Sequence, residues 1–150
     1  MRITQWGEYG VLIAVYLACK QTTAGRDDTI IAAAEIAEAQ GIALQYAQQI
    51  LLRLRDGEIV ESVRGPHGGY RLTKPPGEIS LLEVLLAAEG ASFEVICDTK
   101  PIRLPQCIKG NSCFLQEVWR GLKDNMDAYL KKYTLARLAS EASKQEAAPN

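Results

Sequence analysis

The sequence predicts a mostly α-helical fold with a small β wing, followed by a long C-terminal helix. Two short helical segments meet at Gly41, and a β-favouring run with a glycine-rich turn follows them directly. Near the C-terminus, apolar residues recur at alternating four- and three-residue steps, which is the spacing of a helix that pairs with another helix. Together these patterns predict a winged helix-turn-helix domain joined to a dimerisation helix.

Bulk composition limits the classes of function. The chain has 150 residues, is 47% hydrophobic and carries a formal net charge of −1. It suits one main globular domain, and any binding to nucleic acid must come from a local basic patch. There is no signal-peptide pattern and no apolar run of roughly 18 residues, so we expect a cytoplasmic protein without a membrane partner. Thiols stay reduced in that compartment, which favours ligand or redox roles for clustered cysteines.

Three helices are predicted in the first third of the chain. The first has one apolar face formed by Ile3, Trp6, Gly10, Ile13 and Leu17. An alanine-rich second helix covers about 30–39, and a third covers about 43–55 after the turn at Gly41. The third helix is predicted to bury Leu44, Ala47, Leu51 and Leu54 and to present Gln45, Tyr46, Gln48 and Gln49 outward.

The hairpin is predicted from turn chemistry. Residues 59–63 favour a strand, the glycine-rich stretch 65–69 must turn, and 70–72 return as a second strand. We assign residues 1–78 to the winged helix-turn-helix, which we interpret as a DNA-binding domain. Beyond it, Ser80 and Glu83 form a capping box that opens a short helix through about Ala88.

Cysteines and a long helix dominate the remainder. Cys97, Cys107 and Cys113 fall within or at the end of an irregular stretch, 91–113, which we interpret as a cofactor-binding loop. A single helix of some 25 residues is predicted from about Cys113, with a heptad stripe of Leu115, Trp119, Leu122, Met126, Tyr129 and Tyr133. Such a stripe predicts a homodimer. Residues 79–139 therefore form the second unit, and the polar stretch 140–150 is predicted to be a disordered tail.

Taken together, these segments resemble the IscR/NsrR/RirA family of bacterial iron–sulfur transcriptional regulators. The resemblance covers nearly the whole chain. Its most specific parts are residues 41–46, the wing run 62–70, and three spaced cysteines before a helix that contains Trp119 and Arg120. The family implies a dimeric winged-helix repressor or dual regulator of promoter DNA, with a cluster near the dimerisation helix.

The resemblance also implies ligands for that cluster. It assigns Cys97, Cys107 and Cys113 as thiolate ligands, although nine and then five residues separate them here and the first gap is longer than usual in the family. Some members carry a ligating histidine where this chain has Gln116. Others supply an acidic residue of the opposite subunit from the position of Glu8, which is therefore our fourth ligand. A 4Fe–4S cluster is favoured, with 2Fe–2S as the other type.

The chemistry of the cysteines leaves alternatives open. Thiolates suit iron–sulfur clusters, and a single carboxylate ligand makes one iron easier to release or attack, as a sensor of iron, nitric oxide or redox state requires. The alternative is a cluster-free regulator controlled by a partner protein or a thiol switch. Zinc is disfavoured because no Cys-x2-Cys pair is present. An enzyme or electron carrier is disfavoured because no catalytic set accompanies the wing, and Cys19 is interpreted as a packing residue.

Base and phosphate contacts are predicted on the third helix and the wing. Glutamine can pair with adenine in the major groove, which favours Gln45, Gln48 and Gln49 together with Tyr46. Arg64 is positioned for the minor groove, and His67 adds a contact at the wing tip. The remaining cations are expected to hold the phosphate backbone, namely Arg53, Arg55, Arg71 and Lys74.

Overall fold

A computed structural model describes residues 3–25, 28–91 and 113–147. The predicted fold class is confirmed, because helices predominate and one two-stranded antiparallel sheet accompanies them. In chain order the elements are α1 (Gln5–Ala24), α2 (Ala33–Gln40), α3 (Leu44–Asp56), β1 (Val60–Val63), β2 (Gly69–Leu72), a 3-10 turn (Pro76–Glu78), α4 (Leu81–Glu89), α5 (Phe114–Lys131) and α6 (Leu135–Ala147).

The helix-turn-helix forms where glycine permits a sharp turn. Gly41 ends α2 with a left-handed φ of 64°, and its N–H donates to the carbonyls of Ala37 and Glu38. Glycine adopts this backbone region without the penalty that a Cβ atom imposes. The second helix begins at Ala33 and not at residue 30, because Ile31 pairs with the wing.

The wing is a regular antiparallel hairpin. Val60 lies opposite Leu72 and Val63 lies opposite Gly69, which places both strands within one residue of the predicted ranges. Val60 and Leu72 are buried at the base, whereas the turn residues 64–67 are exposed. The hairpin is thus anchored by its apolar base and projects a polar tip.

The core joins the first and the last helices. Ile13 and Leu17 of α1 are buried together with Leu54 of α3 and Leu135 of α6. Burying an aliphatic side chain of this size stabilises the fold by about 1.5–3 kcal/mol. Leu135 therefore belongs to the same core cluster as the N-terminal helices.

The single long C-terminal helix was a wrong prediction. Helix α5 ends at Lys131, and α6 starts at Leu135. Between them the chain pairs with the segment before α4, as the N–H of Leu81 donates to the carbonyl of Tyr133 at 2.8 Å and that of Leu135 to Ile79 at 2.9 Å. This pairing takes Thr134 out of the helix, because it lies opposite Ser80 in an isolated β-bridge.

The predicted disordered tail is also corrected. Residues 140–147 continue α6, whose Leu135 and Ala139 are buried and whose inner face packs against α1. The alanine and serine residues of this segment led to the prediction of a small, polar tail. Small side chains nevertheless let two helices approach closely, and alanine favours a helix. No helix in the described parts of the chain is long and apolar enough to cross a bilayer.

Candidate functional site

The wing turn presents the two side chains predicted for it. The N–H of Gly68 donates to the carbonyl of Gly65 at 3.0 Å, and Gly65 has a φ of 119° that side-chain-bearing residues rarely adopt. Arg64 and His67 are both exposed on this turn. Among the described residues Arg64 has no ion-pair partner, so its charge is available to a ligand.

The outer face of α3 is rich in amides. Gln45, Gln48 and Gln49 are exposed as predicted, opposite the buried residues Ala47, Ile50, Leu51 and Leu54. Leu44, predicted to be buried, is instead 44% exposed, and Ile50 takes its place in the core. The physical reason is that the start of α3 and its N-cap residue, 43–45, extend beyond the core. The exposed end of α3 thus carries one apolar side chain beside its amides.

Tyr46 does not join the exposed amide face. Its ring packs against Trp6 at a centroid distance of 5.0 Å and against Tyr9 edge-on at 5.8 Å, so the side chain is half-buried. Edge-to-face aromatic pairs of this kind stabilise packing. Local sequence patterns do not indicate the contact between Trp6 and Tyr46, since these residues lie 40 positions apart.

Two of the predicted phosphate contacts are engaged within the protein. The guanidinium of Arg53 lies 4.3 Å from the centre of the Trp6 ring, and its Nη1 donates to the carbonyl of Ala88 at 3.0 Å. Arg71 forms an ion pair of 2.6 Å with Glu61, which is opposite it in the hairpin. Arg53 therefore has a structural role that its sequence position did not indicate, and the charge of Arg71 is partly compensated.

The remaining predicted cations also have acidic neighbours. Arg55 pairs with Asp56 at 3.4 Å, and Lys74 pairs with Glu83 at 3.8 Å. Exposed pairs of this kind contribute little to stability, but they lower the local positive charge. Arg64 consequently remains as the unpaired cation of the wing, within the described residues.

The predicted metal ligands are only partly described. Cys113 is exposed and immediately precedes α5, while Cys97 and Cys107 lie outside the described residues. Glu8 is exposed in the first turn of α1. Within the three described ranges, no group of three or more histidine, cysteine or acidic residues is close enough to hold a metal ion. Cys113 and Glu8 are accessible donors, as an iron–sulfur cluster requires, but they do not form a centre by themselves.

Cys19 differs from Cys113 in its environment. It is half-buried between α1 and α6, and its Sγ lies 3.8 Å from the carbonyl oxygen of Ala139. Burial raises the pKa of the Cys19 thiol. A protonated, enclosed thiol behaves as a small packing residue and is a poor ligand or nucleophile.

A further acidic residue, Glu89, lies at the N-terminus of α1, and no sequence motif had marked it. Oε1 of Glu89, the last residue of α4, accepts hydrogen bonds from the N–H of Thr4 at 2.7 Å, from its hydroxyl at 3.0 Å and from the N–H of Gly7 at 3.1 Å. It thereby caps the N-terminus of α1. The available signal was an acid at the C-terminal end of a helix, where the helix dipole disfavours negative charge.

The projecting wing, the amide-rich helix after a tight turn and the unpaired Arg64 define a winged-helix DNA-binding transcription regulator. The Rrf2 family, described as iron-dependent transcriptional regulators, matches residues 3–141. Two HTH-type transcriptional regulators IscR, from Enterobacter sp. and Citrobacter koseri, are 35% and 36% identical over 93% of this chain and 80% of their own length. The chain belongs to the Rrf2 family of transcriptional regulators and is not an enzyme.

Solved structures agree with the family. T. potens IscR is 25% identical to this chain in sequence. Its structure matches all of this chain and 94% of the T. potens chain, with a TM-score of 0.71. CymR, the global cysteine regulator of B. subtilis, is 26% identical, with a TM-score of 0.69, and the match covers 94% of this chain and 98% of CymR. The oxidized form of Staphylococcus aureus CymR is 27% identical, with a TM-score of 0.64 over 93% and 96% of the two chains.

Proposed function

We propose that this protein is a homodimeric repressor that binds promoter DNA in the cytoplasm and senses iron, nitric oxide or redox state through an iron–sulfur cluster. The observation that carries the proposal is the exposed thiol of Cys113 at the start of α5, in a chain whose family is described as iron-dependent. Two further cysteines precede it in sequence, at Cys97 and Cys107. The fold and the family support regulation of transcription, and the donor set supports the sensor.

The cluster would be held by Cys97, Cys107 and Cys113 of one subunit and by Glu8 of the partner subunit. When bound, a 4Fe–4S or 2Fe–2S cluster would supply an iron site. Release of this iron, or attack on it, would signal the state of iron, nitric oxide or redox balance in the cell. Cys113 would join this site directly to the first turn of α5, and Glu8 would join it to the first turn of α1. A change in ligation therefore acts on the ends of two helices.

On the DNA, α3 enters the major groove. Its exposed Gln45, Gln48 and Gln49 have the donor and acceptor pairs that match adenine edges, and exposed Leu44 supplies an apolar contact for a thymine methyl group. Ala43, which precedes the helix, offers no side-chain oxygen to cap its first N–H groups, so a phosphate can occupy that position. This face favours A·T-rich half-sites.

The wing lies against the backbone beside that groove. Arg64 enters the minor groove, where narrow A·T tracts concentrate negative potential, and His67 contacts a phosphate at the tip. Arg71 adds a weaker backbone contact, because Glu61 compensates part of its charge. Tyr46 and Arg53 contribute by holding α3 in place, since their side chains are engaged with Trp6.

Dimerisation follows from the exposed face of α5. Leu115, Trp119, Leu122 and Tyr129 lie on one stripe of this helix and are between 37% and 57% exposed. An apolar stripe with heptad spacing and no cover within the described residues is stabilised by a second copy of the same helix. A symmetric dimer also presents two copies of α3 to two half-sites.

The proposal is tested with anaerobically purified protein. We expect a brown protein with visible absorption, with iron and acid-labile sulfide in stoichiometric amounts, and with an operator affinity that changes when the cluster is removed. Operators are first selected from a pool of random double-stranded DNA and then measured by fluorescence anisotropy. Colourless protein without iron or sulfide would overturn the sensor but leave the DNA-binding class intact.

A second candidate is a cluster-free thiol switch. It is favoured by the similarity to CymR, whose oxidized form has been solved, and by the exposure of Cys113. In that case diamide oxidation of metal-free protein alters operator affinity, and iron chelation has no effect. The same anisotropy assay separates the two candidates, because only the first responds to chelation.

A further inference from the structure

The last turn of α4 is wedged between α1 and α3. A Cβ atom at Gly10 of α1 would lie 2.7 Å from Cβ of Ala88, and one at Gly57, just after α3, would overlap Ala87. Helix α4 therefore approaches both helices as closely as the main chain allows. Because the glycines let the helices pack this closely, displacement of α4 also displaces α1 and α3, since packed interiors have low compressibility.

Glu89 fixes this turn to the N-terminus of α1. Its Oε1 accepts the three hydrogen bonds from Thr4 and Gly7, and the hydroxyl of Thr4 in turn accepts from the N–H of Trp6 at 3.2 Å. At the end of its own helix a carboxylate is unfavourable, whereas at the start of α1 it meets the positive end of the dipole. Glu89 therefore stabilises the N-terminus of α1 and not its own helix, α4.

The same turn of α4 contacts α3, which is the recognition helix in the proposed DNA complex. The carbonyl of Ala88 accepts from Arg53 of α3, and the guanidinium of Arg53 covers the Trp6 ring, which also packs against Tyr46. Trp6 lies in the first turn of α1. Two adjacent residues of α4 are therefore joined through hydrogen bonds and ring contacts to both α1 and α3.

We infer that Glu89 is a positioning residue through which movement of the chain after α4 reaches α1 and the recognition helix. The inference deepens the proposed function and rests on it, since the cysteine-containing segment begins two residues after Glu89. Movement at Gly90 displaces the Glu89 carboxylate, and with it the first turn of α1 and the Trp6 ring. Arg53 follows, because it is held by that ring and by Ala88. The tilt of α3 is set in this way.

A merely structural cap makes a different prediction. If Glu89 only stabilised α1, its removal would lower the melting temperature and leave the effect of the cluster on DNA binding unchanged. The deciding quantity is therefore the ratio of operator dissociation constants with and without the cluster. Coupling between two sites commonly changes affinity by roughly 5- to 150-fold.

Four full-length variants are compared with the wild type. Glu89→Ala removes the acceptor, and Glu89→Gln keeps an acceptor oxygen at the same place. Thr4→Val removes the hydroxyl that donates to Glu89 and accepts from the N–H of Trp6. Glu78→Ala is the charge-matched control, because its exposed side chain has no hydrogen-bond partner within the described residues. Each is made in wild-type and Trp119→Phe backgrounds, so that Trp6 alone reports fluorescence in the second. Operator affinity is measured on reconstituted and on chelator-treated protein.

We expect Glu89→Ala to bring the affinity ratio close to one, Thr4→Val to lower it in part, and Glu89→Gln and Glu78→Ala to retain it. In metal-free protein, Glu89→Ala should shift Trp6 emission to longer wavelength and weaken operator binding about fivefold or more. A folded Glu89→Ala protein that keeps the wild-type ratio overturns the coupling. If wild type binds no iron, the sensor proposal has failed, and the metal-free measurements decide: unchanged Trp6 emission and affinity in Glu89→Ala overturn the positioning role.

Discussion

The main chains of Ile31 and Tyr70 exchange two hydrogen bonds, with N–O distances of 2.9 and 2.8 Å. This isolated bridge attaches the segment before α2 to the second strand of the wing, so main-chain hydrogen bonds join the wing to the helix-turn-helix. Gly69 lies next to the bridge, and a Cβ atom there would overlap the carbonyl oxygen of Ile31. The relative position of α3 and Arg64 depends on this close approach.

Gly69→Ala should therefore destabilise the protein by about 1–3 kcal/mol, because the bridge must open to admit a methyl group. Operator affinity should fall with it, since the wing loses its attachment. Gly77→Ala is the matched control: its Cβ would meet Ala136 at an ordinary 4.0 Å. Thermal unfolding and anisotropy check both variants, and equal stabilities for the two would contradict the role of the bridge.

Arg64→Ala should weaken operator binding by about 1–3 kcal/mol and reduce the salt dependence by about one released counterion. The reason is that Arg64 brings an uncompensated charge to the wing turn. Arg71→Ala serves as the comparison and should have the smaller effect, because Arg71 is paired with Glu61. Titrations at several salt concentrations measure both quantities. If Arg71→Ala proved the more damaging, the wing would dock on DNA through its strands and not through its turn.

Leu122→Glu should convert the protein to a monomer, because it places a charge in the middle of the exposed apolar stripe of α5. Lys123→Ala, one residue away, removes only the ion pair with Asp127 and should leave the dimer intact. Sedimentation velocity distinguishes the two states. A dimeric Leu122→Glu protein would show that another surface holds the subunits together.

Cys113→Ser should lose most of its iron and sulfide, whereas Cys19→Ser should retain the wild-type amounts. In metal-free protein, iodoacetamide should modify Cys113 long before Cys19, because Cys19 is half-buried and burial raises the pKa of its thiol. Metal analysis and mass spectrometry of time points provide the measurements. Retention of full iron by Cys113→Ser would remove this residue from the ligand set.

Stability should decrease in acid through the capping box of α4. Hydrogen bonds from the backbone N–H and then the hydroxyl of Ser80 lower the pKa of Glu83. The carboxylate therefore stabilises the fold above its unfolded pKa of about 4.3, and this contribution disappears as the pH falls through the lower folded pKa. It amounts to about 1 kcal/mol at most, because the side chain is 43% exposed.

Glu83→Gln tests this assignment. Glutamine at this position can still complete a capping box but cannot titrate, so its melting temperature should fall less between neutral pH and pH values below about 4. Unfolding curves of both proteins across that range give the difference. Parallel loss of stability in the two proteins would assign the acid sensitivity to other carboxylates.

Elements governed by neighbouring residues were predictable. The turn at Gly41, the hairpin with its glycine-rich tip, and the capping box of Ser80 and Glu83 were all predicted and are confirmed. Each depends on backbone freedom or hydrogen bonds within a few positions of the chain. Exposure of the glutamines on α3 was also predictable, since helical periodicity separates them from Ala47 and Leu51.

The sequence by itself therefore determined the local elements, the family and the cysteines that the proposed sensor requires. Tertiary structure alone decided that the C-terminal helix breaks at Thr134, that Leu44 is exposed, that Tyr46 and Arg53 pack on Trp6, and that Glu89 caps α1. These features join residues between 40 and 85 positions apart, or depend on where the core ends. Local periodicity carries no information about such contacts, because they form only when separate helices pack together.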